Sequence, residues 1–212
     1  MPCVRWYLAY ALSLRNLEEM MAERGIVVDH STLHRWVIRL VPHLDKAFRR
    51  YKRNVGRRWR MDETYIKIKG QWKYLYRAVD SKGQTIDFLL MAKRDAAALR
   101  FFRKAIRHHN EPEVVTIDKS GANTAALSTL NADKAEDETI TIRQSKYLNN
   151  LIEQDHRNIK RRTRLMTGFK SFRRAQTILA GIELIHMIRK GQIGHPQGNG
   201  LSSAEQFYLL VA

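Results

Sequence analysis

Residues 59–92 read WRMDETYIKIKGQWKYLYRAVDSKGQTIDFLLMA, and apolar and polar side chains alternate through much of the stretch. A period of two sends successive side chains to opposite faces, which is the pattern of strands and not of helices. WRMDETYIKIK makes a first strand, Gly70 and Gln71 a tight turn, and WKYLYRAVD a second strand. DSKG at 80–83 suits a type I turn with glycine last, and TIDFLLMA is a third strand. The region therefore opens as an antiparallel meander.

Downstream the period changes. A helix is predicted from about Asp95 to His109 with Ala98, Phe101, Phe102 and Ala105 on its core side, and Pro112 breaks the chain after it. EVVTID is a short strand of the buried type, KSGAN leads into a helix near residues 122–132, and ETITIRQ is a fifth strand. Two helices follow, from about Leu148 to Arg164 and from Ser171 to Lys190, and the glycine-rich GQIGHPQGNG makes 191–212 a loose tail. Three strands, helix, strand, helix, strand and closing helices describe an α/β fold over 58–190. It is a ribonuclease-H-like mixed five-stranded sheet flanked by helices.

Upstream, residues 4–41 read as helices. Ser13 caps a helix carrying Leu14, Leu17 and Met21, and Gly25 stops it. A second helix, capped by Asp29 or Ser31, carries Leu33, Trp36, Val37 and Leu40 and ends at Pro42. Two short helices around a glycine turn make a small helix-turn-helix module over 1–48. Its Ser31, His34, Arg35 and Arg39 are donors suited to base edges and phosphates in a major groove. An ordinary helical hairpin with a solvated basic face explains the same stripe. Residues 49–57, basic around Gly56, read as a linker, either solvated or lying on a phosphate backbone.

Lysine and arginine outnumber acids 38 to 21, giving a formal charge of +17 that favours a polyanionic partner, nucleic acid first. The longest apolar run, TILAGIELIHMI, is interrupted by Glu183 and His186 and is too short to span a bilayer, so no membrane partner is expected. MPCVRWYLAYALSL is like a signal peptide except that Arg5 falls where the apolar core should be. Cys3 is the only cysteine, which leaves no disulfide framework or cysteine zinc site and fits a reducing cytoplasm.

Three acids stand out. On the first strand Asp62 shares a face with Thr64, Ile66 and Ile68, while Glu63 goes with Met61, Tyr65 and Lys67. Asp118 ends the fourth strand, where the carboxyl edge of an α/β sheet opens into a crevice. If strands one and four are neighbours these carboxylates meet, and they repel unless a proton or a cation lies between them. An all-oxygen site suits magnesium. In NNLIEQDHRNIKRR, residues 149–162, Leu148, Ile152 and Ile159 form an apolar stripe, with Glu153, His156 and Lys160 on one flank and Asp155 on the other. Glu153 is the third candidate ligand and Asp155 a structural or supporting acid. Taken singly, a strand aspartate is more often a turn or edge residue and a helix glutamate more often solvated; the expectation rests on their convergence.

MDETYIKIKGQWKYLYRAVDSKG, TIDKSGAN, KYLNNLIEQDHRNIKRR and GFKSFRRAQTILAGIE resemble the DDE transposases of bacterial insertion sequences, the group with a short single-chain transposase and an integrase-like catalytic core. The resemblance is nearly continuous from about Glu18 to Lys190, and the roughly 35 positions from Asp118 to Glu153 are the family's usual spacing. It implies a catalytic triad of Asp62, Asp118 and Glu153 holding divalent metal, Mg2+ or Mn2+, as two ions. DNA contacts are implied at Lys160, Arg161, His156 and Lys119. It further implies cleavage at the element's ends and transfer of the freed 3′ ends to target DNA. The helix-turn-helix would read terminal inverted repeats, in a homodimer or higher oligomer associated with the nucleoid in the bacterial cytoplasm. Family members usually carry a longer N-terminus, whereas this chain begins within the first helix. The catalytic fold is then expected to stand while end recognition weakens. A metal-dependent nuclease without strand transfer and a non-catalytic DNA-binding regulator are the alternatives; strand-transfer joints distinguish the first and insensitivity to Asp118→Ala the second.

Overall fold

The computed structural model describes residues 1–94, 96–118, 120–145, 150–166 and 168–211, with the backbone alone at Leu165. The chain gathers into two compact units. One holds Asn54–Lys67 and Gln71–His156, the other Met1–Arg53, Ile68–Gly70 and Arg157–Ala212.

The first unit is built on a sheet of β1 (Arg58–Ile68), β2 (Gln71–Asp80), β3 (Thr85–Met91), β4 (Val114–Ile117) and β5 (Thr141–Gln144), in the order β3-β2-β1-β4-β5. β2 and β3 run antiparallel, whereas β1 with β4 and β4 with β5 run parallel. This is the expected mixed sheet, with strands one and four side by side. Lys69 and Gly70, with φ of 50° and 77°, join β1 to β2. Two positive φ values in a two-residue loop match the twist of a hairpin. The turn therefore falls one residue earlier than the Gly70–Gln71 expected from the sequence.

One face of the sheet is dry. Trp59 and Met61 of β1, Tyr76 and Ala78 of β2, and Val115 and Ile117 of β4 share a buried cluster with Phe101, Phe102 and Ala105 of α4 (Ala97–His109) and Ala126 and Leu127 of α5 (Gly121–Asn131). Each large side chain so buried contributes about 1.5–3 kcal/mol relative to exposure. Lys104 of α4 also donates to the buried Asp87 of β3 at 2.8 Å. Asp95, expected to open α4, lies outside the described residues.

The second unit is helical: α1 (Pro2–Ala9), α2 (Leu14–Ala22), α3 (His30–Tyr51), α7 (Phe172–Arg189) and α8 (Ser203–Leu209), with α6 (Asn150–Thr163) contributing its second half. Ser13 caps α2 reciprocally with Asn16. Asp29, not Ser31, caps α3, accepting from the amides of Ser31 and Thr32 at 2.8 and 3.0 Å. The expected stop at Pro42 does not occur, since α3 runs through it. A proline inside a helix costs roughly 3 kcal/mol, but Leu33, Val37, Val41, Leu44 and Phe48 are all buried along one continuous stripe that spans it. Trp36, placed on that stripe from the sequence, is 38 % exposed instead. Helix α7 is apolar on most sides and packs against α1 and α3, so it groups with the N-terminal helices and not with the sheet. Gly181 makes this approach possible: a Cβ there would lie 2.6 Å from Leu8 Cδ2.

Two further expectations are corrected in this unit. Residues 49–51 are still helical, and the supposed linker pairs with the supposed tail: Arg53 N donates to Gln192 O at 2.9 Å and Gly194 N to Tyr51 O at 2.7 Å. Beyond them α8 is held by a capping box of Ser202 and Glu205 and by the fully buried Phe207, so 191–212 is no loose tail. Among the described residues no helix is long and apolar enough to cross a membrane.

Candidate active site

The second face of the sheet carries charge. Period two sends Asp62, Thr64 and Ile66 of β1 and Arg77 of β2 to the side opposite Met61 and Tyr76. The first half of α6, residues 150–156, meets this face through two successive side chains. Asp155 Oδ2 lies 3.1 Å from Nη1 of the fully buried Arg77, and His156 Nε2 lies 3.3 Å from Asp62 Oδ2. The second contact is close but not aligned as a hydrogen bond, and among the described residues neither ring nitrogen of the buried His156 has a hydrogen-bond partner. Glu153 comes one turn before His156 and is exposed, as an acid at the rim of a covered face would be. Asp155, by contrast, is taken up in the ion pair that seats the helix.

Asp118 follows directly on β4. The β1–β4 ladder pairs Arg58 with Val114, Trp59 with Val115 and Arg60 with Thr116. Carried two residues further, the same register sets Asp62 level with Asp118 and on the same face, one strand spacing, about 4.8 Å, apart in the backbone. Asp118 Oδ1 accepts from Ser120 N at 3.2 Å and from Asn123 Nδ2 at 3.3 Å. Asn123 is fully buried, and its Oδ1 has no hydrogen-bond partner among the described residues. As the side chains stand, no three acidic, histidine or cysteine residues among those described are grouped closely enough to hold a metal ion. Continued past Arg60 and Thr116, the register would align the two aspartates; α6 brings His156 to Asp62, and Glu153 is exposed one turn before it. The donor chemistry fits a hard divalent cation: carboxylate oxygens, with the amide of Asn123 beside Asp118.

The basic residues divide. His156, expected at DNA, is 6 % exposed and faces the sheet, beside Asp62. Lys160 and Arg161 are exposed. Arg162 is buried, donating to Asn158 Oδ1 at 2.7 Å and to Ala9 O at 3.3 Å. Burial, with Arg189 and Arg161 nearby, lowers its pKa to about 10. Lys119 lies outside the described residues. On α3, Ser31, Arg35 and Arg39 are exposed, and Arg35 Nη2 donates to Thr32 Oγ1 at 2.7 Å. His34 is half-buried, and its pKa is lowered first by burial and then by Arg174.

Two pairs were missed in the sequence. Arg77 sits in the middle of the run YLYRAVD, and a charge inside a buried strand requires a partner. Glu63 likewise pairs with Arg94 across 2.7 Å on the opposite face, and Glu63 raises the arginine's pKa. Neither partner could be identified from spacing, because both come from distant segments.

A five-stranded mixed sheet with helices on both faces and aspartates on its central strand and just past the neighbouring one is the ribonuclease-H-like core of the polynucleotidyl transferases. The fold is shared with the HTLV-2 integrase catalytic core domain, solved in complex with magnesium, at a TM-score of 0.51 and 17 % identity over 68 % of this chain and all of that one. A family model described as a DDE domain matches residues 56–192. Transposases for the IS431mec insertion sequence-like element of Staphylococcus aureus strain Mu50 and for the IS257 element in transposon Tn4003 of the same species are each 39 % identical over 211 residues, covering 99 % of this chain and 92 % of theirs. The chain belongs to the DDE transposases of bacterial insertion sequences.

Proposed function

We propose that this transposase binds the ends of an insertion sequence and moves it by cutting and rejoining DNA strands, with Asp62, Asp118 and Glu153 holding divalent metal, Mg2+ or Mn2+, as two ions. The observation that supports this reading is the β1–β4 register, which, continued two residues past Arg60 and Thr116, would bring Asp62 level with Asp118, on the face that the first half of α6 meets through His156. Bound metal supplies acidification of a water or a DNA 3′-hydroxyl and neutralises charge at the phosphate. The reaction is an in-line displacement: the attacking oxygen bonds to phosphorus while the leaving 3′-oxygen departs with its electron pair, and no bond to protein forms. Exposed Lys160 and Arg161 on α6 contact the phosphate backbone in this reading, together with Lys119. His156 supports Asp62 from behind and does not touch DNA.

Ser31, Arg35 and Arg39, all exposed on α3, read the terminal inverted repeats. His34 serves as a neutral hydrogen-bonding group, since burial keeps it deprotonated at neutral pH. Two ends must be held together for joining, so the working form is a homodimer or higher oligomer on DNA, and its place is beside the nucleoid in the bacterial cytoplasm. The formal charge of +17 suits such a partner. The test is a magnesium-dependent assay on oligonucleotides ending in the element's own repeat, with Glu153→Gln beside the parent. Strand-transfer joints from the parent alone are expected. Equal joints from Glu153→Gln would remove the third ligand, and cleavage without joints would reduce the protein to a nuclease.

A further inference from the structure

The dry face of the sheet does not stay dry. Trp59 and Met61 of β1 are fully covered, yet further along the same face of the hairpin Tyr65 is 44 % and Trp72 62 % exposed. The two-residue turn fixes the cross-strand partners. Tyr65 packs edge-on against Tyr74, with ring centroids 5.5 Å apart at 61°, and Lys67 Nζ stands 5.8 Å from the Trp72 ring centroid. At the inner end of the row the Glu63 side chain is 8 % exposed and committed to Arg94. The exposed end therefore offers an indole and a phenol ring flanked by a lysine, with no exposed acid in the row.

Large aromatic rings left in water beside a cation are the composition of a platform for nucleobases: rings stack on bases and the cation meets phosphate. A second copy of the chain is a poorer occupant, because a surface from a protein of charge +17 would bring further like charge to Lys67. An intact duplex keeps its bases stacked inside, so rings of this kind gain most from nucleotides that are unpaired. We propose that Tyr65, Lys67 and Trp72 form a binding site for unpaired nucleotides of the DNA, separate from the carboxylate face on the other side of the sheet. The inference rests on the reading that DNA is the substrate.

The test is fluorescence anisotropy on the full chain in EDTA, where no strand is cut, with a labelled blunt duplex and the same duplex bearing a single-stranded overhang. The parent is expected to bind the overhang more tightly. Trp72→Ala should lose about fivefold or more on the overhang, the low end of one lost stacking contact, and little on the blunt duplex. Trp72→Phe should keep most of the affinity. The salt dependence should be unchanged in Trp72→Ala and shallower by about one unit of slope in Lys67→Ala. Equal affinity of parent and Trp72→Ala for the overhang would overturn the site, as would an equal loss on both DNAs. A change of oligomeric state in DNA-free Trp72→Ala would assign the patch to a second copy and overturn it too. A parent that binds neither DNA would instead sink the functional reading beneath it.

Discussion

The two faces of one sheet are filled by different physics. Under α4 and α5 the sheet presents tryptophan, methionine, valine and isoleucine to phenylalanine and alanine, with the Lys104–Asp87 and Arg94–Glu63 pairs beside that cluster. Under the first half of α6 it presents Asp62 and Arg77, met by His156 and Asp155. Apolar burial is non-directional and adds up by area. Buried ion pairs recover little net stability, because desolvation offsets most of the attraction, but they demand one geometry. The first face therefore holds the sheet together, and the second sets where α6, and with it Glu153, stands. The catalytic role proposed for Glu153 requires placement to within a fraction of an ångström, to which the directional contacts of α6 contribute.

The sharpest separation of the two roles is Glu153→Gln. Glu153 is exposed, so folding stability should change by no more than about 0.5 kcal/mol. Strand transfer should fall by roughly a thousandfold or more, about 4 kcal/mol of barrier. Denaturant unfolding and a joint-formation assay on one preparation check both halves. The mirror case is Phe101→Ala on the dry face, where the side chain is fully buried. It should cost about 3–4 kcal/mol of stability. Metal titration of whatever folded protein remains should be unchanged, and a weakened metal response would break the division of labour.

Asp155→Asn tests the charged face directly. Removing one member of a buried pair weakens the charge compensation of the other, at up to about 3 kcal/mol, and Arg77 is fully buried. The double change Arg77→Met with Asp155→Leu should restore most of the unfolding free energy without restoring activity, since apolar packing no longer orients α6. If the double variant is fully active, the ion pair does not position Glu153.

Much of this contrast was legible in the residues. Alternation in 59–92 separated the Asp62 face from the Met61 face correctly, because a period of two leaves no choice of side once a strand is granted. The hairpins, β4 and β5 followed from local turn chemistry and run lengths. Helical periodicity is less decisive: on α3 positions i+3 and i+4 are both near the buried line, and Trp36 was assigned inward where the structure keeps it partly out. Pro42 was read by local propensity, which tertiary packing overrode. His156 could not be placed from its own helix, since what turns it from a solvated base into a buried neighbour of Asp62 is a strand more than ninety residues earlier. The pairing of residues 51–53 with 192–194 was hidden for the same reason.

The smallest effect belongs to the helical unit and serves as a control for both faces. Asp29 is exposed at the start of α3, and its pKa is lowered to about 2, chiefly by the Thr32 hydroxyl and then by the Thr32 and Ser31 amides. A depressed carboxylate contributes stability that is present above its unfolded pKa near 3.8 and is lost as pH falls toward about 2. Glu205, which caps α8 and is also lowered, titrates in the same direction, so acid unfolding of the parent alone does not isolate either cap. Asp29→Asn keeps a capping oxygen but has no charge to lose. The difference in unfolding free energy between parent and Asp29→Asn should therefore be flat above pH 4 and shrink between pH 4 and 2. A difference that grows with acid would mean that the negative charge at Asp29 destabilises the start of α3.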